Sequence, residues 1–313
     1  MSAPPVRIAT RASELALWQA RWVAARLAEL GHASELVEVT TVGDASAAPV
    51  RELGVGVFVK GVQDAVRDGR ADLAVHSFKD LPAAPMPGLE VAAVPPRAAT
   101  HDVLLLRPEA YDHAGGPLPA TAGARVGTGA VRRIAQLAAL RPDLRPAEIR
   151  GNVPTRVARL RAGAFDGIMV AAAGLDRLGL DLDGLVRVDL DPVVFLPAPA
   201  QGALALEIRR GDALGDLLTD LHDVRGFAPV AAERGLLALL DAGCQLALGA
   251  HARRADDGAI VLDAWFDGRR ATARHALPEA AALHAYDALG RPARGGPRRD
   301  APRAVPAASG GAP

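Results

Sequence analysis

Strand-like and helix-like segments alternate along the first two thirds of this 313-residue chain, and this alternation restricts its fold more than any other feature. Residues 6–10 and 36–42 are typical of strands, whereas residues 13–30 carry apolar side chains at helical spacing behind Ser13, a suitable N-cap. The sequence then predicts a helix at 58–67 and a buried strand at 71–76. Strands separated by helices predict a mainly parallel sheet.

A second block of the same kind begins near Arg97. Its predicted strands are 103–106, 125–127, 148–150 and 167–171, and its predicted helices are 131–139 and 154–162. After a Pro-rich segment, a late strand at 203–208 is expected to return to the first sheet. These patterns predict an α/β fold with two sheet domains, residues 1–96 with 200–218 and residues 97–199.

The last third of the chain has a different pattern. A helix at 231–240 and strands at 247–252 and 259–266 predict a small α+β domain, for which we expect residues 219–291. Residues 292–313 are rich in Pro, Ala, Gly and Arg without an apolar period, so a disordered tail is predicted there.

Composition excludes several classes of protein. Lys plus Arg and Asp plus Glu are equal at 36 each, so no net positive charge indicates a nucleic-acid partner. A single cysteine excludes an intramolecular disulfide, and no His and Cys spacing typical of a metal site is present. Neither a membrane-spanning run nor a secretory signal is evident, which predicts a cytoplasmic protein.

Residues 125–133 combine a strand, a glycine turn and a helix start that carries Arg132 and Arg133. The N–H groups at the start of a helix favour anions, and two guanidinium groups add charge and paired donors. This segment can therefore bind an anion. Taken alone, it is equally compatible with an ordinary strand-to-helix turn whose two arginines are solvated.

Two further strand-to-helix junctions carry arginine. Arg150 and Arg156 lie at one of them, and Arg11 and Ser13 at the other. Because such junctions gather at the carboxyl edge of a parallel sheet, we expect one arginine-rich cleft. Scattered surface arginine is the alternative for each junction, but three such places favour a ligand with several carboxylates or phosphates.

Lys79 and Asp80 follow the predicted strand at 71–76 and are expected to face the same cleft. A carboxylate among cations can stabilise a developing positive charge or move protons. The alternative for Asp80 is an ordinary turn or cap residue. No nucleophile elbow surrounds Ser77, so a serine hydrolase is not indicated.

Cys244 follows a predicted helix within the short segment Gly243-Cys244-Gln245. A lone cysteine is most often a small buried apolar residue. A thiolate that faces cationic side chains would instead be an activated nucleophile.

Taken together, these segments resemble the porphobilinogen deaminase family over about residues 6–252. The matching segments, in order, are 8–13, 15–19, 58–60, 71–80, 126–128 with 132–133, 150–153 with 155–156, 173–179, 199–202 and 243–245. Each match is weak alone, whereas their joint order and spacing are specific to the family.

The resemblance implies three domains, of which the first two are hinged like those of type II periplasmic binding proteins. A dipyrromethane primer would lie in the cleft between them, attached to Cys244 through a thioether. The residues implied to bind this cofactor are Ser77, Lys79, Thr128, Arg132 and Arg133. The residues implied to bind substrate or the growing chain are Arg11, Ser13, Gln19, Arg150 and Arg156.

The resemblance also implies the reaction of hydroxymethylbilane synthase, a transferase. Porphobilinogen loses ammonia to give a methylene-pyrrole cation, the terminal ring attacks it, and a proton leaves the new junction. Asp80 would stabilise each cation and assist proton transfer. After four additions, hydrolysis releases hydroxymethylbilane for tetrapyrrole biosynthesis. The family implies a monomer without metal, nucleic acid or membrane.

This chain departs from the family pattern at several polar positions. Gly129 and Ala130 stand where the family has two serines, Val42 replaces an arginine and Val55 replaces a lysine. Two alternatives therefore stay open, a non-catalytic or weakly active paralogue that binds a polycarboxylate in the cleft, and a phosphate-ester enzyme. The second lacks a Walker lysine and an acidic metal pair, and retention of Cys244 and Asp80 argues against the first.

Overall fold

A computed structural model describes residues 4–40, 59–240 and 246–292 of the chain. The first sheet has the strand order β2-β1-β3-β10-β4. These strands are β1 (Val6–Arg11), β2 (Ser34–Val39), β3 (Leu73–Ser77), β4 (Leu89–Ala93) and β10 (Leu204–Arg209). The late strand β10 pairs antiparallel with both β3 and β4, so the chain does return to the first sheet.

Helices cover both faces of the first sheet because successive strand residues point to opposite sides. On β1, Ile8 packs in a cluster with the apolar stripe of α1 (Glu14–Glu29), whereas Ala9 packs with α2 (Lys60–Arg67). The short helix α6 (Leu214–Leu218) follows β10. Ser13 occupies the N-cap of α1 as predicted, but its hydroxyl makes no capping hydrogen bond.

The second sheet has the equivalent order β7-β6-β8-β5-β9. Its strands are β5 (Asp102–Leu106), β6 (Arg125–Gly127), β7 (Arg145–Ala147), β8 (Gly167–Ala171) and β9 (Val186–Asp189). Its helices are α3 (Val131–Leu140), α4 (Val153–Arg161) and α5 (Ala172–Leu178). The cluster around Leu137 packs on one face of the sheet and the cluster around Leu160 on the other.

The prediction of a strand at 148–150 is wrong. The strand in this region is β7, and Ile149 is buried against the cluster beneath α4. Pro146 argues against a strand because it lacks a donor, but β7 is an edge strand, where proline is tolerated.

The C-terminal unit is α+β. Strands β11 (Leu248–Arg254), β12 (Ile260–Phe266) and β13 (Arg269–His275) form an antiparallel sheet, and α7 (Val224–Leu239) and α8 (Pro278–Ala288) pack on one face. The other face contacts the second sheet domain, since Arg270 donates to the carbonyl oxygens of Val193 and Val194. The predicted α/β class with a small α+β unit is therefore confirmed.

Two segments connect the two five-stranded sheets, residues 94–101 and residues 190–203, and we call them the crossing segments. The Ala98 N–H donates to the Gly202 carbonyl oxygen at 3.2 Å. Gly202 has φ +88°, and a Cβ there would lie 2.5 Å from the Ala98 oxygen and 2.6 Å from the Ala99 oxygen. Only glycine therefore allows the crossing segments to lie this close together.

Candidate functional site

The first edge of the site is formed by the carboxyl ends of β1 and β3. These strands are parallel, so Arg11 at the end of β1 and Ser77 at the end of β3 lie on the same edge of the sheet. Gln19 is buried in α1, and its amide nitrogen lies 2.9 Å from the Ser77 hydroxyl oxygen. The sequence thus identified two residues, Gln19 and Ser77, that the fold brings into contact.

A short 3-10 turn, Phe78–Asp80, follows β3 and carries two of the predicted residues. Phe78 is buried, Lys79 is partly buried and Asp80 is exposed. The turn therefore has an apolar side toward the protein interior and a charged side toward the edge of the sheet.

The second edge of the site is formed by the carboxyl ends of β6 and β8. Thr128 follows β6 and is fully buried, and Arg132 and Arg133 lie on the first turn of α3. Because β5 runs antiparallel to β8, Asp102 at the amino end of β5 lies on this same edge. The sequence analysis did not identify Asp102.

Asp102 is the fully buried counter-charge of both arginines. Nη2 of Arg133 lies 2.7 Å from Oδ1 of Asp102, and Nη2 of Arg132 lies 2.8 Å from Oδ2. Burial alone would raise the pKa of the Asp102 carboxyl, but the two guanidinium groups outweigh it and hold that pKa well below its usual range. Burial also lowers the pKa of Arg132, which Asp102 partly offsets.

Gln201 joins the two edges. Its amide nitrogen donates to Oδ1 of Asp102 at 2.9 Å and to the Thr100 carbonyl oxygen at 2.7 Å. Its amide oxygen accepts from Nζ of Lys79 at 3.5 Å. We call Lys79, Gln201, Asp102, Arg132 and Arg133 the cleft cluster.

The pKa of Lys79 depends on charged groups from both edges of the site. Its pKa is lowered to about 8, chiefly by burial of the ammonium group and further by Arg133 and Arg132, whereas Asp80 and Asp102 oppose the change. Residues on two different sheets therefore act on one amine. The hydrogen bonds of Gln201 to Lys79 and to Asp102 account for this, because they bring Lys79, from the first edge, close to the two arginines, from the second.

The remaining two predicted arginines lie around α4. Nε of Arg156 donates to the Gly151 carbonyl oxygen at 2.8 Å, and its pKa is lowered to about 10 by burial, followed by repulsion from Arg133 and Arg159. Arg156 therefore extends the positive field of the cleft cluster. Arg150 lies between β7 and α4, with its Nε 3.3 Å from a carboxylate oxygen of Glu148.

Arg177 is a further cation that the sequence analysis assigned no role. Its Nη2 donates to the Gly202 carbonyl oxygen at 2.8 Å, and its guanidinium carbon lies 5.7 Å from the centre of the Trp18 ring. Burial lowers its pKa to about 10. Since Trp18 is on α1 and Arg177 on α5, this contact holds the two edges of the site against each other.

The C-terminal unit contacts the crossing segments through a buried ion pair. Arg97 donates to both carboxylate oxygens of Glu233 at 2.9 and 2.8 Å, and Glu233 on α7 is fully buried. The same carboxylate accepts from the backbone N–H groups of Ala200 and Ala252 at 2.6 and 2.7 Å. Arg97 also donates from Nε to the backbone carbonyl oxygen of Gln201 at 2.9 Å. This bond connects the buried ion pair to a residue of the cleft cluster.

The donor chemistry of the site suits carboxylates. Lys79, Arg132, Arg133 and Arg156 supply four cations, against the carboxylates of Asp102 and Asp80. Nε of Arg133 is buried and has no hydrogen-bond partner among the described residues. Four cations against two carboxylates leave an excess of positive charge, which fits a ligand with several carboxylate groups, such as a dipyrromethane.

Two departures from the family pattern lie at this site. Gly129 and Ala130 precede α3, and the Ala130 N–H faces the Thr128 hydroxyl oxygen at 3.3 Å. A Cβ at Gly129 would meet the Ile149 carbonyl oxygen at an ordinary 3.5 Å, so the backbone does not require glycine there. Cys244, Val42 and Val55 lie outside the described residues.

Neither a metal site nor a membrane-spanning helix is present in the described parts of the chain. Residues 4–40, 59–240 and 246–292 contain no group of three or more His, Cys, Asp and Glu placed to hold a metal ion. No helix within the same ranges has the length and apolar character needed to cross a membrane.

Comparison with known families and sequences gave strong matches. Residues 6–215 match the family described as porphobilinogen deaminase, dipyromethane cofactor binding domain. The porphobilinogen deaminase of Nocardia farcinica is 48% identical over 262 residues, which cover 82% of this chain and 74% of that protein. That of Mycobacterium marinum is 49% identical over 248 residues, covering 79% and 77%.

Solved structures gave more distant matches. The VFT2 domain of Bordetella pertussis BvgS is 17% identical, with a TM-score of 0.46, over 74% of this chain and 92% of that domain. An ancestral cationic amino acid solute binding protein is 15% identical, with a TM-score of 0.44, over 69% of this chain and 87% of that protein.

Proposed function

The chain belongs to the porphobilinogen deaminase family, and we propose that it joins four porphobilinogen molecules, with loss of ammonia, on a dipyrromethane primer attached to Cys244. Hydrolysis then releases hydroxymethylbilane for tetrapyrrole biosynthesis. The observation that carries this proposal is the cleft cluster, in which cations from both sheets surround Asp102 next to the turn that bears Asp80. Porphobilinogen and its oligomers carry carboxylates on every ring, which an arginine-rich cleft can bind.

The dipyrromethane cofactor is assigned to the cations of the cleft cluster and to two hydroxyl groups on the same edges. Lys79, Arg132 and Arg133 would hold its carboxylates, and Ser77 and Thr128 would add hydroxyl groups. When bound, the dipyrromethane supplies the terminal pyrrole carbon to which the first substrate is joined. Asp102 contacts Arg132 and Arg133 directly, and Gln201 contacts Lys79, so these two residues keep the cationic groups in place.

The incoming substrate is assigned to the outer residues of both edges. These residues are Arg11, Ser13, Gln19, Arg150 and Arg156. The pKa of Arg156, though lowered, leaves its guanidinium group charged at neutral pH, as a carboxylate ligand requires. Gln19 contacts Ser77, so substrate and cofactor residues adjoin in this assignment.

Asp80 is assigned the catalytic role. As the C–N bond of porphobilinogen breaks and ammonia leaves, positive charge develops on the pyrrole and its methylene carbon. The Asp80 carboxylate would stabilise that charge and accept the proton lost when the new C–C bond forms. Its exposed position at the end of the Phe78–Asp80 turn leaves it accessible to a ligand in the cleft.

We also propose domain boundaries and a role for each domain. Residues 1–96 with 200–218 and residues 97–199 would move about the crossing segments, and residues 219–291 would carry the cofactor. We further propose a cytoplasmic monomer without a nucleic-acid partner. The equal numbers of acidic and basic residues support the last point.

Intact-mass measurement tests the function. We expect the purified protein to carry an adduct of two pyrrole units that gives the Ehrlich colour, and Cys244→Ser protein to lack it. Incubation with porphobilinogen should add further units to the wild type and release one ammonia for each. An unmodified mass after that incubation, with no ammonia release, would instead support a non-catalytic polycarboxylate-binding paralogue.

Asp80→Asn separates catalysis from cofactor attachment. We expect this variant to keep the two-pyrrole adduct but to lose turnover by roughly a hundredfold or more, because the amide cannot stabilise the developing cation or accept its proton. Full activity of Asp80→Asn would contradict the role assigned to Asp80.

A further inference from the structure

The turn that carries Lys79 and Asp80 is held from its interior side. The backbone N–H of Phe78 donates to the Ala203 carbonyl oxygen at 3.0 Å, and the N–H of Leu81 donates back to the Phe78 carbonyl oxygen at 3.2 Å. These bonds fix the start and the curvature of the turn. They leave the carbonyl oxygens of Leu81 and Pro82, directly after Asp80, to other donors.

Arg234 supplies those donors from the C-terminal unit. Its Nη1 donates to the Leu81 carbonyl oxygen at 2.8 Å, and its Nη2 donates to the Pro82 carbonyl oxygen. Its guanidinium carbon lies 4.7 Å from the centre of the Phe78 ring. A planar guanidinium group can bind two carbonyl oxygens and stack on a ring at once, which the point charge of a lysine cannot do.

A cavity next to the turn suggests what would happen if the contact with Arg234 were lost. A cavity of about 110 Å³ is lined by Phe78, Leu81 and Arg234, together with Gln63 and Glu207. Without the guanidinium group, the turn has room to relax toward this cavity. Such a movement would withdraw Lys79 and Asp80 from the cleft.

We propose that Arg234 is a positioning residue, which holds the Phe78–Asp80 turn so that Asp80 and Lys79 face the cleft. This inference rests on the proposed function of Asp80. Arg234 lies on α7, whose end at Leu239 precedes Cys244 by five positions in the sequence. The C-terminal unit thus supplies both the cofactor attachment and the contact that orders the catalytic turn of the first domain.

Steady-state kinetics of holoenzyme variants provide the first test. In Arg234→Gln we expect kcat to fall by roughly ten- to a hundredfold, because small misplacements of a catalytic group are costly, while KM changes less than threefold. Arg234→Lys should recover only part of kcat. Arg225→Gln is the matched control, since Arg225 is exposed on the first turn of the same helix.

A second variant keeps the inference testable if Arg234→Gln protein does not fold. Phe78→Leu keeps an apolar side chain but removes the ring face, and we expect a smaller decrease of kcat in the same direction. The Ehrlich colour of each variant reports whether the primer is present. Folded, primer-bearing Arg234→Gln protein with wild-type kcat would overturn the inference.

A double-mutant cycle separates failure of this inference from failure of the proposed function. If Arg234 acts through Asp80, Arg234→Gln should lower kcat in the wild-type background but by less than twofold in the Asp80→Asn background. Equal losses in both backgrounds would show that Arg234 acts elsewhere. A wild-type enzyme without turnover would instead refute the proposed function.

Lysine resonances give a readout that does not depend on activity. Lys60 and Lys79 are the only lysines of the chain, so 13C labelling of lysine Cε resolves Lys79 with one reference signal. In primer-free Cys244→Ser protein, where no primer carboxylate faces Lys79, the Lys79 pKa should be about 8, and it should rise toward 10.5 when Arg234→Gln is added, because the ammonium group is then no longer buried beside two arginines. An unchanged titration would contradict the movement.

Discussion

At the scale of single residues, charge compensation explains the cleft cluster. Asp102 is fully buried and receives guanidinium groups from Arg132 and Arg133, so three charges share one site and leave a net positive excess. Lys79 lies beside that excess, and its pKa is lowered for this reason as well as by burial. The cluster is therefore arranged to gain from an added anion, which a purely structural ion pair would not.

Lys79 makes the stability of the protein depend on pH. Its pKa is lowered to about 8 in the folded state from 10.5 in the unfolded state. Between these values the unfolded chain binds more protons, so the free energy of unfolding should rise as the pH increases from about 8 to 10.5. Below about pH 8 the folded protein bears the full cost of the buried ammonium group.

Urea unfolding of Cys244→Ser protein at pH 7 and pH 10 measures this effect without bound primer carboxylates. We expect Lys79→Met in that background to be more stable than its parent at pH 7, with the difference smaller at pH 10. Lys60→Met provides the control, because Lys60 is exposed at the start of α2. Identical pH profiles for the Lys79→Met protein and its parent would refute the interpretation.

At this scale, the sequence pattern was most informative where a strand ends. Thr128, Arg132 and Arg133 follow β6 directly and were found, as were Lys79 and Asp80 after β3. Asp102 could have been suspected as a lone acid at the head of an apolar strand. Its partners, however, are 31 and 99 residues away, and no local pattern predicts such pairs.

At the scale of elements, a strand could be predicted from the sequence when it is apolar and lies between polar turns. The bounds of β6 and β8 were predicted without error, because apolar strands between polar turns give a clear signal. The segment 148–150 was assigned wrongly because buried Ile149 resembles a strand residue although it packs beneath α4. Strand β13 was missed because its Arg-rich sequence lacks the usual apolar alternation, and only its pairing with β12 makes it a strand.

Among the glycines of this region, Gly202 in the crossing segments should be the most sensitive to substitution by alanine. Gly202→Ala places a Cβ 2.5 Å from the Ala98 carbonyl oxygen at a positive φ, so both collision and backbone strain oppose it. We expect it to lower the free energy of unfolding by roughly 3 kcal/mol or more.

Gly211 provides the matched control for this substitution. It also has a positive φ, +73°, but nothing lies within 4 Å of an added Cβ, so Gly211→Ala should cost only about 1 kcal/mol from backbone strain. Urea unfolding of both variants measures the difference. Equal costs would show that the close approach of the crossing segments is not maintained in solution.

At the scale of the whole molecule, one carboxylate joins three parts of the fold. Glu233 on α7 binds Arg97 in one crossing segment, the Ala200 N–H in the other, and the Ala252 N–H in β11. Arg97 and Glu233 are 136 residues apart, so sequence patterns could not reveal the pair. The placement of the C-terminal unit against the crossing segments, and hence of α7 and Arg234 beside the catalytic turn, depends on this contact.

The two partners of this ion pair should not be equally sensitive to substitution. Removal of either charge leaves the other buried and uncompensated, which costs about 3–5 kcal/mol. Glu233→Leu also deprives two backbone N–H groups of their acceptor, whereas Arg97→Leu leaves Glu233 bound to both of them. We therefore expect Glu233→Leu to destabilise the protein more than Arg97→Leu, by about 1–3 kcal/mol for the unsatisfied amides.

The double variant distinguishes the charge effect from the amide effect. Arg97→Leu with Glu233→Leu removes both buried charges but still leaves the Ala200 and Ala252 amides without an acceptor. Its free energy of unfolding should therefore exceed that of Glu233→Leu alone, yet stay below that of the wild type. A double variant less stable than Glu233→Leu would mean that Arg97 stabilises the crossing segments mainly through its bond to the Gln201 carbonyl oxygen, rather than by compensating the buried carboxylate.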